Sequence, residues 1–278
     1  MKNIIYITLG LLSIFITSCN LEKEIEIDLP EYEGRLFLEC YLEPGQPYTV
    51  LLTRTAPYFE SFPSDTAFLS SILEDSAQIS ILVDGEEHIL QNDLILNPFT
   101  GKIFNYVSFD IVPENHESTF DLEVTLKDGK KITAETKILE PIKFDSTQIQ
   151  FLENDTLARV IAYATDDPTT DNYYRRMLHY KSLDSLAIFD FPFDDRAVED
   201  VMVFGSFYDF IKGDTVINTI FTIDRPYFDF LQTIQFAIDA NGNPFGQPSP
   251  ISTNLKGDAN AIGIFTGLSY TREVTIVE

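Results

Sequence analysis

The chain has 278 residues, with 44 Asp and Glu against 19 Lys and Arg, a formal net charge of −25 and no Trp. Nucleic acid is excluded as a partner, because phosphate attraction requires a basic surface. An apolar content of 44%, with 23 Phe and 13 Tyr, excludes a disordered chain and suffices for one or two folded domains.

Lys2 opens the chain with a positive charge, residues 4–16 are apolar, and Ile16-Thr17-Ser18-Cys19 sets small residues before a cysteine. This is the pattern of a lipoprotein signal peptide ending in a lipobox, cleaved before the cysteine once its thiol is acylated. The apolar run is shorter than the roughly 20 residues that cross a bilayer, so residues 1–18 are expected to be removed rather than to span. Each buried methylene contributes about 0.8 kcal/mol and more than one acyl chain anchors stably. Covalent lipid of the palmitate type on Cys19 is therefore the expected membrane attachment, and no other cofactor is implied. Residues 19–29, with Glu22, Glu24, Glu26 and Asp28, read as an acidic tether.

Loss of Cys19 to lipid leaves Cys40 alone and excludes an intramolecular disulfide. Flanked by Leu38 and Leu42 in an alternating run, it reads as a small buried hydrophobe. None of His88, His116 or His179 stands in a recognisable nucleophile arrangement with it.

Residues 30–139 alternate as strands. Leu36, Leu38, Cys40 and Leu42 are followed, after Pro44-Gly45-Gln46-Pro47, by Tyr48, Val50 and Leu52. Ile79, Ile81 and Val83 lead into Asp84-Gly85, and Phe120, Leu122, Val124 and Leu126 into Asp128-Gly129, two hairpin signals. Residues 56–71, rich in Pro, Ser and Asp, read as an exposed loop. The pattern predicts an immunoglobulin-like or transthyretin-like β-sandwich over 30–139, with Glu140-Pro141 as a hinge. Residues 140–278 predict a β-rich α+β domain with one amphipathic helix near 225–240. Asp224 is its cap, Pro226 lies in its first turn, and Phe228, Leu231, Gln235 and Ile238 share a face. The fold class is thus mainly β.

Enzymatic motifs are missing: there is no G-x-S-x-G elbow, H-E-x-x-H, phosphate loop or paired Cys-x-x-Cys. A non-catalytic protein is expected. Two acidic clusters carry calcium-type ligands, one with Asp190, Asp194 and Asp195 followed by Glu199 and Asp200, the other with Asp166, Asp167 and Asp171. Solvated loops account for them more simply because calcium-loop spacing is lacking, and calcium is the alternative. The segment Phe189-Asp190-Phe191-Pro192-Phe193-Asp194 reads as an aromatic plug between sheets rather than a surface anchor.

After the helix come Gly242-Asn243-Pro244-Phe245-Gly246-Gln247-Pro248, then Ser252-Thr253-Asn254 and Gly263-Ile264-Phe265-Thr266-Gly267. With the lipobox, Glu24-Ile25-Glu26-Ile27-Asp28-Leu29-Pro30, the strand around 35–42 and Asp171-Asn172-Tyr173-Tyr174-Arg175-Arg176, the chain resembles the Bacteroidota lipoproteins called domain of unknown function 4249. Lys256-Gly257-Asp258-Ala259-Asn260-Ala261 replaces the glycine-rich approach to the last motif usual in that family. The resemblance implies an outer-membrane lipoprotein, commonly encoded near a TonB-dependent transporter, and supplies no catalytic residues. The expected role is an accessory for ligand capture or docking at such a transporter, with the membrane held through the lipid. A structural or adhesive envelope protein is the alternative, and a surface hydrolase a third reading. The expected place is the outer membrane facing the cell surface, with the periplasmic face as the alternative.

Overall fold

Alternation along β1 (Leu36–Leu42) and β2 (Pro47–Arg54) turns Leu36, Leu38, Cys40, Leu42, Tyr48, Val50 and Leu52 to one buried face. The computed structural model describes residues 34–56, 64–97, 101–153, 155–198, 200–240 and 250–278. Cys19, the signal peptide, the acidic tether and the 242–248 motif lie outside the described residues.

The chain continues through α1 (Asp65–Ile72), β3 (Gln78–Val83), β4 (Glu86–Leu96), β5 (Ile103–Ile111), β6 (Thr119–Thr125) and β7 (Lys131–Lys137). With β14 (Lys256–Gly257) and β15 (Ile262–Gly267) these strands form a nine-stranded sheet in the order β14-β7-β6-β3-β4-β5-β2-β1-β15. The two layers expected of a sandwich are joined through one strand. Residues 86–90 of β4 pair with β3, residues 91–96 pair with β5, and the register shifts between Asn92 and Ile95. A bulge of this kind bends a strand from one layer into the next. The enclosed core holds the inward residues of β1 and β2 together with Ile79, Ile81, Tyr106, Phe120, Leu122, Val124 and Phe265.

Asp84 (φ 52°) and Gly85 (φ 84°) are both left-handed, as the predicted two-residue hairpin requires. At Asp128-Gly129 only the glycine is left-handed (φ 85°), and Gly129 N donates to Leu126 O at 2.9 Å, so this turn is longer than two residues. The segment read as an exposed loop over 56–71 is helical from Asp65 on, within α1. Ser64 caps it by accepting from Ala67 N at 3.2 Å, and no residue of the helix is buried, which left no apolar face to read in the sequence.

A second pair of layers follows, from β8 (Ser146–Phe151), β9 (Ala158–Thr165), β10 (Tyr173–Tyr180), β11 (Phe189–Asp194), β12 (Val201–Gly205), β13 (Thr215–Ile223) and β16 (Ser269–Ile276). The three-stranded sheet β12-β9-β8 and the four-stranded sheet β11-β10-β13-β16 bury Ala162, Ala164, Tyr174, Met202, Phe204 and Ile220 in one cluster, and Ala158, Val160, Leu178 and Val216 in another. Pro192 is tolerated because β11 is an edge strand, paired only with β10. Phe193 stacks on Tyr174 at 5.3 Å and meets Phe204 edge-on at 5.5 Å, whereas Phe191 remains 42% exposed. The plug is made by part of the aromatic segment.

The change of sheet falls between β7 and β8, near residue 140, and the chain later crosses back, β14 pairing with β7 and β15 running parallel to β1. Residues 34–278 form one compact unit. Between the layers lies α2 (Arg225–Ala240), which buries Tyr227, Phe228 and Phe230 against Phe37, Tyr41 and Ile264 on one side and Tyr173, Phe221 and Ile223 on the other. Its burial is concentrated in the first turns. Ile238, expected on the packed face, is 61% exposed, because the flanking sheets cover only the helix start.

Candidate functional site

The loops that follow β9 and β11 bring the two acidic clusters together. Asp166 N donates to Asp200 O at 2.9 Å, and Asp195 accepts from Asn172 N at 2.9 Å and from Asn172 Nδ2 at 2.8 Å. Asp166 and Asp195 are both buried, 7% and 3% exposed. Burial, then the Asp195 carboxylate and the charge of Asp167, raise the Asp166 carboxyl to about 6. Asp166 Oδ1 is covered and has no hydrogen-bond partner among the described residues. Burial and the same carboxylates push the Tyr174 phenol upward.

The remaining predicted ligands are held elsewhere. Asp190 is clamped by Arg175, whose Nε and Nη2 each donate at 2.7 Å, and Asp194 accepts from Arg196 Nη2 at 2.6 Å. Asp167 accepts from Thr169 N at 3.0 Å and Thr169 Oγ1 at 2.6 Å, closing its own turn, and Asp171 is exposed. Glu199 lies outside the described residues. Among the described residues no group of three or more His, Cys, Asp and Glu side chains is placed to hold a metal. The meeting of the two clusters had no signal in the sequence beyond the clusters themselves.

Cys40 is fully buried, and burial pushes its thiol upward, away from the reactive thiolate. His88 stacks on Tyr48 at 4.7 Å and shares a 2.9 Å contact with Asp110, while His116 Nδ1 lies 3.2 Å from Ile138 O. These rings are occupied in holding the first sheet together. Two open grooves mark its outer faces, one of about 640 Å³ lined by Leu82, Glu87, Asp121, Glu123, Glu135 and Lys256, the other of about 410 Å³ beside α1. Among the described residues no helix is long and apolar enough to cross a membrane.

The motif residues that are described act as joints. A Cβ at Gly263 would sit 1.9 Å from Leu38 O, and one at Gly267 2.4 Å from Lys137 O, so β15 fits between β1 and β7 only with glycine at both ends. Asn254 closes the free edge of β15, donating from Nδ2 to Phe265 O at 2.7 Å and accepting from Phe265 N at 3.1 Å. In the 171–176 motif, Asn172 holds Asp195, Tyr173 accepts from Arg225 at 3.1 Å, and Arg175 Nη1 donates to Tyr227 OH at 2.9 Å. Arg176 is 4% exposed and donates to Asn218 Oδ1 and to the carbonyls of Phe204 and Gly205.

No curated protein matches the chain. The model of one family, described as Domain of unknown function (DUF4249), matches residues 22–273, and the chain belongs to that family.

Proposed function

We propose that the protein is a non-catalytic lipoprotein of the outer membrane, facing the cell surface, that serves a TonB-dependent nutrient transporter as a ligand-capture or docking component. The observation that carries this reading is the lipobox at Cys19 followed by a spacer and a β-rich body whose first strand begins at Leu36. Sixteen or so intervening residues reach roughly 50 Å when extended, enough to let the folded part stand off the bilayer and lean onto a neighbouring membrane protein. The buried Cys40, with its thiol pushed upward, is not placed to act as a nucleophile.

The test is purification of the native lipoprotein from detergent-solubilised outer membranes, combined with deletion of its gene. A transporter recovered in stoichiometric amount and reduced uptake of one nutrient are the expected results. Recovery without a transporter, with uptake unchanged, would leave the structural or adhesive role in its place.

A further inference from the structure

We propose that the outer face of β3, β4 and β5 is a docking surface for a protein segment that carries apolar side chains together with Lys or Arg. The inference names the face for the docking role given above and rests on that reading. Outward positions of a sheet with one buried face are ordinarily polar. Here Leu82, Ile89, Phe109 and Ile111 depart from that pattern, Phe109 being 72% exposed and Ile89 and Ile111 more than half exposed. Their placement follows from register. Ser80 pairs with Ile89 and Leu82 with Glu87, while Gln91 pairs with Val107, so Phe109 takes the outward position beside Ile89. On the inner side His88 still meets Asp110 at 2.9 Å, which keeps β4 and β5 together at this level. Contiguous apolar surface of this kind marks a place where a partner sits.

The charges beside the apolar stripe say what covers it. Glu87, Leu82, Asp121 and Glu135 form one row across β4, β3, β6 and β7, with Asp121 directly opposite Glu135. Like charges opposite one another on neighbouring strands are unfavourable. Glu123 and Glu135 have Lys131 at 2.7 Å and Lys256 at 3.4 Å, whereas Glu87 and Asp121 form no ion pair among the described residues. These acids line the groove of about 640 Å³ that runs beside the stripe. Cationic side chains relieve the repulsion and apolar ones cover the stripe, so a segment that carries both complements the face. A second copy of the chain would set acid against acid, and anionic lipid headgroups would be repelled in the same way.

The test uses the mature chain with Cys19→Ser, free of lipid, titrated with a short fluorescent peptide that alternates Lys with Leu. Saturable binding that weakens as salt rises is expected. Ile89→Ser combined with Phe109→Ser should lower the affinity about tenfold or more. Val201→Ser combined with Val203→Ser, exposed on β12 in the other pair of layers, should leave it unchanged. Asp121→Asn combined with Glu135→Gln should lower it about threefold and flatten the salt dependence. That charge variant should melt no lower than the unmodified chain, since a repulsion is removed, and it decides the question by itself if the serine variant fails to fold. Absence of saturable binding, equal binding of a peptide that alternates Lys with Ser, or undiminished binding by either variant overturns the proposal. So does self-association, or binding to phosphatidylcholine vesicles, that Phe109→Ser abolishes, because a second copy or a lipid would then hold the face. The peptide titration reads the face and the co-purification reads the role, so failure of one is told apart from failure of the other.

Discussion

Thr136 and Asp224, 88 residues apart, are joined by a hydrogen bond from Thr136 Oγ1 to Asp224 Oδ2 at 3.2 Å, which ties the last strand of the first half to the start of α2. The other oxygen of Asp224 accepts from Tyr227 N at 2.9 Å, capping the helix. One side chain therefore both starts the helix and seats it on the sheet.

Asp224→Ala should cost about 2–3 kcal/mol, a lost cap plus a threonine hydroxyl left buried without its acceptor. Asp224→Asn should cost less than about 1 kcal/mol, because the amide oxygen still caps. Burial raises the Asp224 carboxyl above its ordinary value. A raised acid contributes stability that is present below its unfolded value and lost as pH rises through the folded one, so the neutral asparagine suits the site at pH 7. Urea denaturation of the two variants measures both numbers.

Gly263→Ala and Gly267→Ala should each destabilise by more than about 3 kcal/mol or prevent folding, since the new methyl group meets main-chain oxygens that cannot move. Gly205→Ala, where no atom lies within 4 Å of the added carbon, should change stability by less than about 1 kcal/mol. Melting temperatures of the three variants make the comparison.

His179 is 6% exposed, and burial followed by the charge of Arg272 lowers its pKa. A lowered histidine contributes stability present above its unfolded value, near 6.5, and lost as pH falls through the lower folded value. Stability measured from pH 7 to pH 5 should decline, and His179→Gln should show a shallower decline over the same window. An identical slope in the variant would remove His179 as the cause.

Cys40 should not react with an aromatic disulfide reagent in the native protein and should react fully once the chain is unfolded in guanidinium. Its sulfur lies in a core with no exposed surface, and only the thiolate attacks. In a Cys19→Ser chain, where Cys40 is the remaining thiol, absorbance of the released aromatic thiolate gives the rate, and prompt reaction before unfolding would contradict the burial.

Strands whose one face is buried were legible, because alternation with period two is a direct consequence of that burial. β1, β2, β3, β6 and β7 are of this kind, and the Asp84-Gly85 turn followed from its need for two left-handed residues. β11 was hidden by Pro192, which only an edge position tolerates, and α1 by its lack of a buried face. The return of β15 to β1 pairs Leu38 with Gly263, a contact that no local pattern encodes. Helix α2 was readable from its cap and period, yet Tyr227 was missed and Ile238 misplaced because the sheets cover only its first turns. The acidic pair was half legible: both clusters stood out, and only the fold selects Asp166 and Asp195 from among them.

The mass of the N-terminal peptide of the protein extracted from membranes tests the lipid attachment on which the proposed function depends. A mature chain beginning at Cys19 and carrying diacylglyceryl and acyl groups is expected. A chain that retains Met1, or one with Cys19 unmodified, would contradict it.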